Sequence, residues 1–186
     1  GIGRVVATAF ADVGVTVIVV DRNTEGSRQM VEELATRSEK KHCFLALDVS
    51  NPKDVEEQFL SLPNDIDILV NSAAINIPGA LVEIAIEKAA QMFSINQTGM
   101  IICTQIIAKR MIAAGGGVIV NIASESGLEG SAGQSVYAAS KAAVYSLTRS
   151  WGKELGPYGI RVVGIAPGLL EPTGMTDSNY LTALAK

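Results

Sequence analysis

The chain is short of the residues that staple, chelate or anchor a protein. Among 186 residues there are two cysteines, Cys43 and Cys103, far apart in sequence, and a single histidine, His42. With no Cys-x-x-Cys pair, neither a structural disulfide nor a metal site is expected, and a reducing, cytoplasmic setting fits. Basic residues are also scarce. Lysine and arginine number 15 against 19 aspartate and glutamate, the net charge is −4, and no basic block is longer than Lys40-Lys41. That balance argues against nucleic acid as a partner. Apolar runs such as 17–20 fall far short of the roughly 20 residues of a membrane span, so no membrane association is expected. Residues 1–20 show no basic stretch leading into a signal-type core, so nothing there marks the chain for export. Internal repeats and low-complexity tracts are absent as well.

What remains is a chain with 48% hydrophobic and 18% charged residues, a balance suited to one folded domain over 1–186. Residues 15–20 (VTVIVV) form a β-branched run that stops at Asp21. Similar runs at 43–47, 66–70, 118–122 and 160–165 complete a set of buried parallel strands. Helical patterns fall between them, at about 3–13, 24–38, 51–61, 86–113 and 133–156. Ser50-Asn51-Pro52 supplies a cap and an N-terminal proline for the third. Strands alternating with helices of this length predict an α/β fold, a doubly wound parallel sheet with helices on both faces. The chain opens with Gly1-Ile2-Gly3 directly into a helix and closes beyond Pro172 in a helical-looking stretch. Such a sheet has its first strand at its centre, so the sequence is expected to lack that strand and to be incomplete at both ends.

Three features carry chemistry. Gly1 and Gly3 could be the last two glycines of a turn that lets backbone approach a pyrophosphate. Asp21 follows Gly3 at about the spacing where an acidic residue takes ribose hydroxyls. A carboxylate there repels a 2′-phosphate, so NAD is expected over NADP, although Arg22 is adjacent and Asp21 could simply cap the next turn. Tyr137 and Lys141 stand one helical turn apart on one face, where the ammonium can act on the phenol. Ser124 ends the run 118–123, where open α/β sheets place their sites.

Taken together, Gly1-Ile2-Gly3, Asp48-Val49, Asn71-Ser72-Ala73-Ala74, Asn96, Ser124, Tyr137-x-x-x-Lys141 and Pro167-Gly168 resemble the short-chain dehydrogenase/reductase family, in the family's order. The resemblance implies a Rossmann-like three-layer fold and an NAD-dependent enzyme that interconverts a secondary alcohol and a ketone. Within the family, residues 125–143 and 153–175 are most similar to dehydrogenases of polyol phosphates such as sorbitol 6-phosphate. By the same resemblance Tyr137 is the acid/base, Lys141 its electrostatic partner and a ribose ligand, and Ser124 the holder of the substrate oxygen. Asn96 would hold a water in a proton relay. Asp48 and Val49 would flank adenine, Asn71 and Ala73 would lie along the adenosine side, and Ile165, Pro167 and Gly168 would line the nicotinamide. Thr173 could bind the carboxamide, and a homodimer or homotetramer through 86–113 and 137–156 is implied.

The sequence also departs from the family. The usual Thr-Gly that begins the glycine turn is absent. Ala74 and Val163 stand where glycine and asparagine are common, and Pro172 displaces the carboxamide threonine by one place. His42 reads as a surface or satisfied histidine, Ser126 as a weaker competitor of Ser124, and the stripe Met100, Ile101, Cys103, Ile106, Ile107 as core or subunit interface. Glu125, Glu129, Ser131, Gln134 and Glu171 fall near the expected substrate side. Carboxylates there suit sugar hydroxyls and repel a phosphate. The competing readings are a ketoreductase on another carbonyl, such as an acyl thioester, and a non-catalytic NAD-binding domain.

Overall fold

A computed structural model describes residues 1–168. They fall into two compact units, Gly1–Leu62 and the residues from Pro63 on. In each, parallel strands alternate with helices, as expected of the α/β class.

The first unit contains α1 (Ile2–Asp12), β1 (Ile18–Asp21), α2 (Thr24–Arg37), β2 (Cys43–Ala46) and α3 (Pro52–Phe59). Strands β1 and β2 pair in parallel with Ile18 opposite Cys43 and Asp21 opposite Ala46. The expected strand 15–20 enters the ladder late. Val15 N–H is still bonded to Phe10 O at the end of α1, and Val17 N–H donates to His42 Nδ1 at 3.1 Å. A side chain thus takes an amide that a neighbouring strand would otherwise use. His42 is buried rather than on the surface and is satisfied only at Nδ1, its Nε2 having no hydrogen-bond partner among the described residues. Helix α2 starts where Asn23 Oδ1 accepts from Gly26 N–H at 2.9 Å, and α3 where Asn51 precedes Pro52, the cap-then-proline start that stabilises a helix. Ala11, Met30 and Leu34 form the core between α1 and α2, with Ala7, Val17 and Val19 against it. Exposed pairs Arg4–Glu33 and Arg37–Asp12 join the same helices and contribute roughly 0–1 kcal/mol each.

The second unit contains β3 (Ile68–Asn71), α4 (Ile86–Phe93), α5 (Met100–Ala114), β4 (Gly117–Ile122), α6 (Ser126–Glu129), α7 (Ser135–Leu155) and β5 (Ile160–Ile165). The order is β3-β4-β5, all parallel, with Asn71 opposite Asn121 and Ile122 opposite Ile165. Met92, Ile107, Met111, Ile119 and Val144 are fully or almost fully buried. The helix expected over 86–113 is two helices. A six-residue π-helical segment, Ser94–Gly99, separates α4 from α5; π-bulges of this kind cluster at functional sites. Helix α6 was not expected. It lies directly on α7, where a Cβ on Gly127 would stand 2.7 Å from Lys141 C and 2.8 Å from Ala142 N, an approach only glycine permits.

Candidate active site

Beyond β4 the pairing with the β5 side continues. Ala123 N–H donates to Ile165 O at 2.7 Å and Glu125 N–H to Pro167 O at 3.0 Å. Ser124 therefore sits on a fixed strand end. Helix α7 meets that strand with residues 141, 145 and 148, and residue 137 lies one turn before 141 on the same stripe. Lys141 Nζ donates to Ile122 O at 2.7 Å and lies 5.8 Å from the centre of the Tyr137 ring. Tyr145 OH donates to Ser124 O at 2.7 Å. The Ser124 and Ser126 hydroxyl oxygens are 2.8 Å apart. The three expected residues Ser124, Tyr137 and Lys141 thus belong to one strand end and one helix face.

Burial sets the electrostatics. Lys141 is only 4% exposed, and desolvation brings its ammonium down to about 8. Its proton is therefore held less tightly than that of a solvated lysine.

Asn96, in the π-helical segment, is 2% exposed. Its Oδ1 accepts from Ile75 N–H at 2.8 Å, while Nδ2 donates to Ile75 O at 2.9 Å and to Ser140 Oγ at 3.0 Å. Ser140 Oγ in turn donates to Tyr137 O at 2.7 Å. Both amide hydrogens of Asn96 are thus used within the protein, tying the loop after β3 to the turn that carries Tyr137. Asn71 is similarly engaged: its Nδ2 donates to Thr104 Oγ1 at 3.0 Å and Asn121 Oδ1 at 2.9 Å. Asn121, with no exposed surface, donates to Thr148 Oγ1 at 2.9 Å. This chain of amides and hydroxyls crosses α5, β3, β4 and α7. Gln134, buried at the start of α7, accepts from Asn76 Nδ2 at 2.8 Å. Of these, Thr104, Asn121, Ser140, Tyr145 and Thr148 were missed from the sequence. Asn121 left a signal, a polar residue inside the apolar run 118–122, and so did Tyr145, four residues after Lys141.

In the first unit Gly1 caps α1 and Ile2 and Gly3 make its first turn, where the leading amides have no partner within the helix. Asp21 is exposed at the carboxyl end of β1, and its Oδ1 accepts from Asn23 N–H at 2.9 Å. Its side chain thus caps the next turn. Asp48 Oδ1 accepts from Ser50 Oγ at 2.7 Å and Ser50 N–H at 2.9 Å, bonds that hold its carboxyl below the usual value. Val49 adjoins this turn. Ala73 is exposed after β3, while Pro167 and Gly168 follow β5, with Gly168 against the Glu125 carboxylate. Thr173 and Glu171 lie outside the described residues. Among the described residues no group of three or more His, Cys, Asp or Glu is placed to hold a metal, and no helix is long and apolar enough to cross a membrane.

Parallel ladders alternating with helices, with a strand-end serine beside a Tyr-x-x-x-Lys helix, define an α/β protein of the Rossmann type. Within that class the chain belongs to the short chain dehydrogenase family, whose profile matches residues 1–183, as the residue-level resemblance implied. A sorbitol-6-phosphate 2-dehydrogenase of Klebsiella pneumoniae is 48% identical over 157 residues, 76% of this chain and 58% of that protein. The match thus spans less than two thirds of that relative's length. An NAD+-bound xylitol dehydrogenase superposes with a TM-score of 0.93 at 26% identity, covering 100% of this chain and 73% of the other. A gluconate 5-dehydrogenase from Burkholderia cenocepacia J2315, in complex with NADP and tartrate, gives 0.86 at 28% identity, with 97% and 73% covered.

Proposed function

We propose that this chain carries the chemistry of a nicotinamide-dependent oxidoreductase that interconverts a secondary alcohol and a ketone, with a polyol or a polyol phosphate as substrate. The observation that carries the reading is the Tyr137/Lys141 face of α7 set against the strand end bearing Ser124. The relatives named for sorbitol 6-phosphate and xylitol support the substrate class.

A secondary alcohol resists losing hydride until its oxygen begins to lose a proton, so a base must be held at that oxygen. Tyr137 is the base in the oxidative direction and the acid in the reductive one. A free phenol, with a pKa of about 10, is poorly suited to this near neutral pH. A unit positive charge about 4 Å away is worth roughly 4 kcal/mol at an effective dielectric near 20, or about 3 pKa units. Lys141, 5.8 Å from the ring centre, supplies a charge of this kind below its own pKa of about 8, with a smaller effect at the longer distance. Ser124 donates to the substrate oxygen as negative charge develops there. The dinucleotide, when bound, supplies the hydride acceptor for the alcohol or the donor for the ketone. Gly1, Ile2 and Gly3 would take its pyrophosphate, Asp21 its adenosine ribose, Asp48 and Val49 its adenine, and Lys141 its nicotinamide ribose. Asn71, Ala73, Pro167, Gly168 and Thr173 complete the proposed cofactor set, and Asn96 the catalytic one. Asp21 favours NAD over NADP. A cytoplasmic homodimer or homotetramer remains part of the proposal.

The exposed carboxylates Glu125 and Glu129 favour hydroxyl-rich, uncharged ends of a substrate over a phosphate. The test is cofactor reduction at 340 nm by the full-length protein, with sorbitol, xylitol and sorbitol 6-phosphate against NAD and NADP. Turnover of any of the three with NAD supports the reading. Turnover confined to a 3-oxoacyl thioester, read in parallel as oxidation of NADH or NADPH, would move it to a ketoreductase, and cofactor binding without turnover on any substrate would leave a binding domain.

A further inference from the structure

Ser124 acts through one rotatable hydroxyl on the residue just past a strand, a position where both the backbone and the χ1 rotor would be loose without partners. In this chain both are held. The carbonyl of Ser124 accepts the Tyr145 phenol at 2.7 Å, and its hydroxyl meets that of Ser126 at 2.8 Å. Tyr145 lies one turn past Lys141 on α7, so the helix that presents the acid/base also grips the residue that holds the substrate oxygen. Its ring packs against the cluster of Met100, Ala123 and Val144, which leaves the hydroxyl as the polar end aimed at the strand. Burial, with the Glu125 carboxylate nearby, pushes the Tyr145 phenol above its ordinary value, so it stays a donor through the working pH range. Either hydroxyl of that pair can donate; when Ser126 donates to Ser124, the Ser124 proton is left for the substrate oxygen.

We propose that Tyr145 and Ser126 are positioning residues that fix Ser124, one through its carbonyl and one through its hydroxyl. This rests on the reading of Ser124 as the holder of the substrate oxygen. A plain packing role for Tyr145 would be served equally by phenylalanine, and a plain turn role for Ser126 would not couple to Ser124.

The test uses the full-length protein with its cofactor and the best substrate of the panel. Tyr145→Phe and Ser126→Ala should each lower kcat by about two- to ten-fold, the worth of one neutral hydrogen bond. Cofactor affinity and the pH midpoint should stay in place, because Lys141 and Tyr137 are untouched. In a Ser124→Ala background neither change should lower kcat further, the non-additivity expected of residues acting through one another. Independently of turnover, amide hydrogen exchange across 123–127 should quicken in Tyr145→Phe. Wild-type kcat in Tyr145→Phe, an equal loss in the Ser124→Ala background, or unchanged exchange would overturn the proposal. If Ser124→Ala itself left kcat intact, the role of Ser124 would fail first and this brace with it, a result distinct from a brace that fails while Ser124 matters.

Discussion

The two regions expected to share the chemistry are built on opposite plans. In the second unit Lys141, Asn96, Asn121 and Ser140 are buried and hydrogen-bonded across strand, loop and helix. In the first, Gly1, Gly3 and Asp21 are exposed, and Asp21 makes one local bond to its own turn. The second unit holds its polar side chains with buried partners, and the first leaves Asp21, the proposed ribose-reading carboxylate, in water. Substitutions in the buried group should therefore change rate and stability together, and those in the exposed group should change preference alone.

The hardest blow to the buried region is Tyr137→Phe. Removal of the proton carrier should cost roughly 10²- to 10⁴-fold in kcat while cofactor affinity, read by fluorescence titration or calorimetry, stays near that of the parent. Retention of substantial turnover would break the assignment of the site.

Lys141→Met should lower both kcat and NAD affinity, and should displace the pH profile of the residual rate to the alkaline side because the phenol loses its neighbouring charge. Its effect on stability runs the other way. Burial holds Lys141 in the fold at about 8, below an unfolded value near 10.4. Between those values the unfolded state binds the extra proton, so this residue makes the fold more stable as pH rises from about 8 and less stable below. Thermal melts between pH 7 and 9.5 should show that rise in the parent and not in Lys141→Met, and the variant should be at least as stable as the parent at pH 7. A variant that melts well below the parent at pH 7 would mean that the hydrogen bond to Ile122 outweighs the desolvation.

Gly127→Ala probes the same region through the backbone. The added methyl overlaps the peptide between Lys141 and Ala142, so α6 or α7 must shift. The expected cost is about 1–3 kcal/mol by denaturant unfolding, accompanied by reduced turnover. An unchanged midpoint would show that α6 yields freely.

The smallest effect is expected in the exposed region. Asp21→Ser should relax the preference for NAD while leaving stability within about 0.5 kcal/mol. Equal or better efficiency with NADP in the parent would refute the role of Asp21 and weaken the contrast between the regions.

Much of this was legible in the chain itself, for reasons that are local. A run of β-branched residues ending at Asp21 is a strand in almost any setting, Asn51-Pro52 starts a helix by its own hydrogen bonding, and a spacing of four puts Tyr137 and Lys141 on one face by helix geometry alone. The family was readable because its motifs are short and ordered. The α4/α5 break at Asn96 was not legible, since a π-helical segment needs no residue that an α-helix forbids. The late start of β1 depended on His42, 25 residues away.

What the sequence determined by itself is therefore the alternation of strands and helices and the parallel α/β class, because these follow from periodicity within one stretch of chain, and the family, because its motifs are short and ordered; it also put forward Ser124, Tyr137 and Lys141 as site candidates. Only the tertiary structure decided how those residues are held. Burial of Lys141 lowers its pKa, Gly127 lets α6 rest on α7, and Ser140, Asn121 and Tyr145 gain partners 21 to 50 positions distant in sequence. Desolvation and long-range hydrogen bonds arise only when separate stretches of chain are brought together.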